Sequence, residues 1–179
     1  AQWQLGRLEH PGLAKELFGR DGLGSRDDFV RLRVAEALGR MPLDVDAKKL
    51  LPSGKQRDTA VARTLLWSLE RRALDDRLGD CAPSVSRKLE GIVRGGGDPA
   101  LRADALAAFA ALDVEAARPW VTRFAKEREP RLRSAALVMG VEVLDGEAAL
   151  DLARRLVDDP DDGVRASAIV AIEDLGSRD

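Results

Sequence analysis

The sequence predicts an all-α chain, an α-solenoid of antiparallel helix pairs, and three observations carry that expectation. One apolar pattern returns: Val164, Ala168, Ala171, Ile172 and Leu175 stand at the same offsets as Leu101, Ala105, Ala108, Phe109 and Leu112. It returns again as Leu132, Ala136, Met139, Gly140 and Val143, and as Val30, Val34, Ala37, Leu38 and Met41. The first, fifth, eighth, ninth and twelfth places of such a run share one side of an α-helix. The copies are also evenly spaced, with thirty-one residues from Phe109 to Gly140 and thirty-two from Gly140 to Ile172, which is the mark of a repeat array. Finally, hydrophobic residues make up 45% of the chain but aromatics only 4%, so the apolar surface is mostly Ala, Leu and Val and suits close helix-on-helix packing.

The elements follow in order. Leu5-Gly6-Arg7-Leu8 matches the tail Leu38-Gly39-Arg40-Met41, so residues 1–20 are expected to be a truncated repeat whose second helix runs from Pro11 to Phe18. The chain begins with Ala1, and a fragment of a longer protein is the expectation. A repeat at 27–51 opens with Asp27 or Asp28 as N-cap and closes with a second helix over Leu43 to Leu51, stopped by Pro52-Ser53-Gly54. Leu112-Asp113-Val114-Glu115-Ala116 and Leu144-Asp145-Gly146-Glu147-Ala148 repeat that second opening, with acidic first turns that favour the positive end of the helix dipole.

The repeat at 58–94 begins with a helix from Asp58 to about Arg72. Val61, Leu65 and Leu69 hold the register, but Ala62 stands where the other copies have Arg. Leu69 to Phe109 is forty residues, which places an insertion between 70 and 98, and Pro83 to Arg94 serves as the second helix with Val85, Leu89, Ile92 and Val93 on one face. The repeats at 98–127 and 130–158 are the most regular. Asp98-Pro99 and Glu129-Pro130 set Pro at the first helical position, where its fixed φ and missing N–H cost least. A half repeat at 162–176 ends the series, with no full polar cap of the kind arrays use at either end.

Asp98-Pro99-x-Leu101-Arg102, Glu129-Pro130-x-Leu132-Arg133 and Asp159-Pro160-Asp161-Asp162-Gly163-Val164-Arg165, each followed by Ala at the fifth helical place, resemble the short bacterial HEAT repeat of the PBS-lyase HEAT-like type. The resemblance is strong over 98–176 and 27–51 and weak over 58–94. It implies a right-handed solenoid with first helices on the convex side and second helices lining the concave side. Enzymes, assembly factors and scaffolds share the repeat, so it specifies architecture rather than activity.

Charge and residue inventory narrow the function. The formal net charge is −2, which ranks nucleic acid behind protein as a partner. Residues 48–94 nonetheless hold eleven Lys+Arg against six Asp+Glu, while 145–179 hold four against ten. No apolar run is long enough for a membrane span, and the lone Cys81 fits a reducing, cytoplasmic setting. With one histidine, His10, and one cysteine, neither a His-based triad nor a Cys/His metal site can be assembled, and no cofactor is expected. Gly54-Lys55 lacks the upstream glycines of a phosphate-binding loop.

Arg31, Arg102, Arg133 and Arg165 form one column, read either as a ladder for an anionic ligand or as a structural network between repeats. Trp3, Trp67 and Trp120 invite comparison with a base-stacking cleft, but Trp120 aligns with Leu152 and Trp67 with Ala107, Val138 and Val170, which favours packing. The outward side of the second helices is the better functional candidate. With Ala117, Trp120, Val121, Phe124, Ala149, Leu152, Ala153 and Leu156 turned inward, Arg118, Arg123, Lys126, Arg154 and Arg155 face out, joined by Arg87 and Arg94 opposite Val85, Leu89 and Ile92. The expectation is a non-catalytic scaffold meeting an acidic segment of a protein partner on this basic ridge. A nucleic-acid-binding HEAT protein and a bilin-lyase-like modifying factor are the alternatives. Oligomeric state is not legible.

Overall fold

A computed structural model describes residues 12–41, 45–52 and 59–177, and among them every regular element is helical. The α-helices are α1 (Leu13–Leu17), α2 (Asp28–Arg40), α3 (Thr59–Leu74), α4 (Ala82–Arg94), α5 (Pro99–Ala110), α6 (Val114–Phe124), α7 (Pro130–Val143), α8 (Gly146–Leu156) and α9 (Asp162–Gly176). The chain divides into two compact units, Ala1–Leu89 and Glu90–Asp179, with the boundary inside α4. Expectations for Trp3, Leu5 to Leu8, His10, Leu43 and Gly54-Lys55 fall outside the described residues.

In the first unit, α2 begins at Asp27, whose carboxylate accepts the N–H groups of Phe29 and Val30 at 2.8 and 3.4 Å. That satisfies two of the donors every helix start leaves open. Packing of α2 is directly against α3. The second helix expected over 43–51 is instead one 3-10 turn, Ala47–Leu50, capped by Asp46. Pro52 is the physical reason: it drives Leu51 into the extended region, where φ is −68° and ψ 128°, so the turn cannot propagate. Ala47 and Leu50 are still fully buried, so this single turn keeps the packing role of a helix. Beyond the end of α3 at Leu74 the chain is turned at Asp76, held at φ 53°, and the Arg77 N–H reaches back to the Arg72 carbonyl at 2.8 Å. This is the left-handed stop that Asp tolerates better than most residues.

The second unit holds the regular pairs. Asp98, Asp113, Asp145 and Asp161 cap α5, α6, α8 and α9, and Pro99 and Pro130 open α5 and α7 as the sequence predicts. Glu129 occupies the cap position of α7 without a side-chain bond. Helix α7 packs against α5, α6, α8 and α9 and forms the centre of this stack. The apolar register is right in kind and shifted in detail. Ala105, Ala108, Phe109, Leu132, Ala136, Val164 and Ala168 are buried, whereas Leu156, Ile172 and Leu175 are half-exposed. A sixth place in each repeat, not singled out in the sequence pattern, is buried almost completely at Ala35, Leu66, Leu106 and Leu137.

Candidate interaction surface on the second helices

The face that packs inward is as expected on α6: Ala117, Val121 and Phe124 are fully buried and Trp120 nearly so. Arg123 and Lys126 are exposed and Arg118 partly so. The Arg123 guanidinium lies 5.2 Å from the centre of the Trp120 ring, and Arg94, from the end of α4, reaches the same ring at 5.9 Å. Two cations from two helices thus converge on one aromatic side chain. Arg94 also pairs with Glu90 at 2.8 Å, and Arg118 with Glu115 at 3.2 Å.

On α8, Arg154 and Arg155 are exposed and each meets a neighbour on its own helix. Arg154 is 3.9 Å from the Asp151 carboxylate, and the Arg155 Nε donates to the Asp151 carbonyl at 3.2 Å. Both are local consequences of helical spacing, which brings residues three and four apart onto one face. Arg87 is exposed on α4 within the first unit. Arg87, Arg123 and Lys126 form no ion pair among the described residues.

The Arg column is a clasp. Arg102 donates through Nε to the Val93 carbonyl at 3.1 Å and through Nη2 to Glu127 at 2.9 Å. Arg133 donates to the carbonyls of Glu127 and Arg128, and makes a bidentate pair with Asp159 at 2.7 Å on both arms. Arg102 thus ties the last turn of α4, and Arg133 the linker before α7, to a carboxylate 25 or 26 residues further on. The Arg133 guanidinium, by hydrogen bonding, holds the Asp159 carboxyl below the usual carboxylate range against the opposing effect of burial. Arg165 and Arg31 close on their own helices, at Asp162 and Asp28, and on carbonyls of the preceding linker. These contacts occupy the column's donors internally, in keeping with a structural network.

Ala62 breaks this column, and the first unit works differently. Arg72, 1% exposed, donates from Nη1 to the carbonyls of Leu38 and Met41 at 3.2 and 3.3 Å. Arg77 adds bonds to Met41 and Gly39 at 2.5 and 3.0 Å. Together they close the open carbonyl end of α2. Neither was singled out in the sequence. The available signal was the missing Arg at 62 together with the arginines that follow at the far end of the same helix.

The Trp67 expectation also changes. Its column is a flank rather than core: Val138 and Val170 are 62% and 54% exposed. Trp67 itself is half-buried, with Arg40 stacked 5.7 Å from a ring centre. Cys81 is half-exposed, with its sulfur 3.8 Å from Asp46 Oδ1. Among the described residues, no group of His, Cys, Asp and Glu could hold a metal ion, and no helix is long and apolar enough to cross a membrane.

Helical hairpins stacked side by side, with capped first helices and an internal arginine clasp, define an α-helical repeat protein. HEAT repeats match over residues 86–177, just more than half of the chain, and the chain belongs to the HEAT-repeat family. No curated protein matched it. HEAT repeats generally serve as scaffolds for protein interaction.

Proposed function

We propose that this chain is a non-catalytic interaction module of the short PBS-lyase-like HEAT subtype, divided into repeats at 27–51, 58–94, 98–127 and 130–158 between the partial units 1–20 and 162–176. It takes an acidic segment of a protein partner along the outward faces of α6 and α8 and the end of α4. The observation that supports this reading is the pair Arg94 and Arg123 over Trp120. A ring face holds a guanidinium in place without neutralising it, so Arg123 remains able to meet a carboxylate, Arg94 can exchange its pairing with Glu90 for one, and the aromatic support lowers the cost of ordering them. Arg118, Lys126, Arg154 and Arg155 extend the surface. The local ion pairs of Arg118 and Arg154 lie at the surface and are worth roughly 0–1 kcal/mol each, so a partner's carboxylate can displace them at little cost. Arg87 lies in the other unit and is left out of this surface.

The test is affinity capture from nuclease-treated and untreated lysate of the source organism, using the native chain beside the double variant Arg94→Glu, Arg123→Glu. A protein retained after nuclease by the native chain and lost by the variant is the expected result. Retention that nuclease abolishes would transfer the surface to nucleic acid, with affinity falling steeply as salt rises. An absorbance shift on mixing with free bilins would instead support the modifying-factor reading.

A further inference from the structure

One linker is fastened unlike the others. Arg133 and Arg165 each donate to the carbonyls six and five residues before them, and Arg31 to the carbonyl six before it. The backbone that enters α7, α9 and α2 is thereby pinned to the helix it feeds. At α5 the matching carbonyls are those of Gly96 and Gly97. Arg102 passes over both, and its Nε donates to the Val93 carbonyl nine residues back, in the last turn of α4. Among the described residues, Gly96 and Gly97 take part in no hydrogen bond.

The carboxylate clasp is missing at the same place, and at both of its ends. Arg102 holds Glu127 and Arg133 holds Asp159, and each of these carboxylates stands six residues before the next arginine of the column. The residue that stands so before Arg102 is Gly96, and the residue that replaces the preceding arginine of the column is Ala62. Donor and acceptor are lost together.

Nothing local demands glycine here. Neither Gly96 nor Gly97 has a positive φ, and a Cβ on either would meet nothing within 4 Å. The matching residues of the next linker are Glu127 and Arg128. Glycine where another residue would fit widens the range of backbone states open to the chain, so what the run Gly95-Gly96-Gly97 supplies is freedom. Two side-chain contacts bridge the run instead: the Arg102 bond to Val93 at 3.1 Å, and the Arg94 guanidinium 5.9 Å from the centre of the Trp120 ring. Val93 is fully buried, so the bridged arrangement is the populated one and an opened one is the minor state.

We propose that Gly95–Gly97 is a joint at which α4, as an intact helix, swings away from α5, and that Arg102 on Val93 and Arg94 on Trp120 form the latch that closes it. When the latch opens, Arg94 leaves the ring it shares with Arg123, so the joint decides whether the two cations stand together. The joint is a property of the free chain and does not depend on any partner of that surface.

Thiol labelling of the folded chain tests this. In a Cys81→Ser background, Val93→Cys is compared with Val164→Cys, which is also fully buried at a helix end. Dithionitrobenzoate should label position 93 at least about tenfold faster than position 164, because the joint opens without global unfolding. Adding Gly96→Ala and Gly97→Ala should slow labelling at 93 about fivefold, since both alanines fit the closed backbone and restrict the open one. Arg94→Gln should speed it about threefold by weakening the latch, and leave position 164 unchanged. Hydrogen exchange separates a swing from fraying: the α4 amides should stay more protected than the thiol at 93, because the helix moves intact. Labelling at 93 no faster than at 164, a rate indifferent to the two alanines, or α4 amides that open as readily as the thiol would each overturn the proposal.

Discussion

In the second unit, consecutive first helices lie in a stack completed by α6 and α8, and Arg102 and Arg133 each join the backbone before their own helix to a carboxylate of the following linker. In the first unit, α2 and α3 meet directly, the intervening second helix is one 3-10 turn, and the arginines come from the end of α3 to close the end of α2. Both arrangements satisfy the same need, which is to find partners for backbone groups that helix ends and linkers leave open. They differ in where the charge sits. The clasp of the second unit joins backbone carbonyls to the carboxylates of Glu127 and Asp159, while that of the first unit brings Arg72, almost completely buried, and Arg77, which also pairs with Asp75, onto the carbonyls at the end of α2. The comparison teaches that a repeat can lose its signature arginine, as at Ala62, when another residue takes over the carbonyls.

Arg72→Met should break the first unit most severely. It keeps much of the side-chain volume and removes the donors to Leu38 and Met41, and an unpaired buried polar group costs in full. We expect a loss of about 3 kcal/mol in denaturant unfolding. Hydrogen exchange followed by mass spectrometry should quicken in α2 and α3 and stay unchanged in α7, α8 and α9. Equal acceleration in both units would show that the buried cation supports more than the end of α2.

Asp159→Asn is the matching test in the second unit, with an expected loss of about 2 kcal/mol as the bidentate, charge-assisted pair with Arg133 is reduced to neutral bonds. The sign of its pH dependence follows from the direction of the shift. The folded carboxyl titrates below its unfolded value of about 4, so its stabilisation is fully present above that pH and is lost as pH falls through the lower, folded value. The variant should flatten this acid limb of stability.

Much of this was legible in the sequence because it rests on local chemistry. Asp27, Asp98, Asp113, Asp145 and Asp161 stand where caps are needed, and Pro99 and Pro130 stand where Pro is tolerated, so helix starts could be read residue by residue. The arginine column was visible as a column, but its partners were not. Glu127 and Asp159 lie 25 and 26 residues away, and only the stacking of the helices brings them close. The burial of the sixth place was hidden for a similar reason. A lone helix shows one apolar face, whereas a stacked helix is covered by the next first helix as well, and Leu106 and Leu137 answer to that second neighbour. The pairing of Arg94 with Arg123 over Trp120 joins residues from different helices and has no short-range signal at all.

The finest test of the comparison is a methyl group. At Gly39 an added Cβ would lie 2.9 Å from the Ser68 Cα and from the Trp67 ring, because α2 and α3 approach backbone to backbone there and Ser68 Oγ donates to the Ala35 carbonyl at 2.6 Å. Backbone cannot yield without parting the two helices. At Gly140 the nearest atom is the Leu152 Cδ2 at 3.0 Å, the tip of a side chain that can shift by a few tenths of an ångström. Alanine gains about 1 kcal/mol over glycine in a helix interior at both positions. Overpacking costs roughly 1–3 kcal/mol where nothing can move. Gly39→Ala should therefore destabilise its unit by about 1 kcal/mol net, and Gly140→Ala should change the other by less than about 0.5 kcal/mol in either direction. Thermal unfolding of the two variants side by side checks the difference. Equal effects would mean that the direct contact of α2 with α3 is no more rigid than the side-chain contact of α7 with α8.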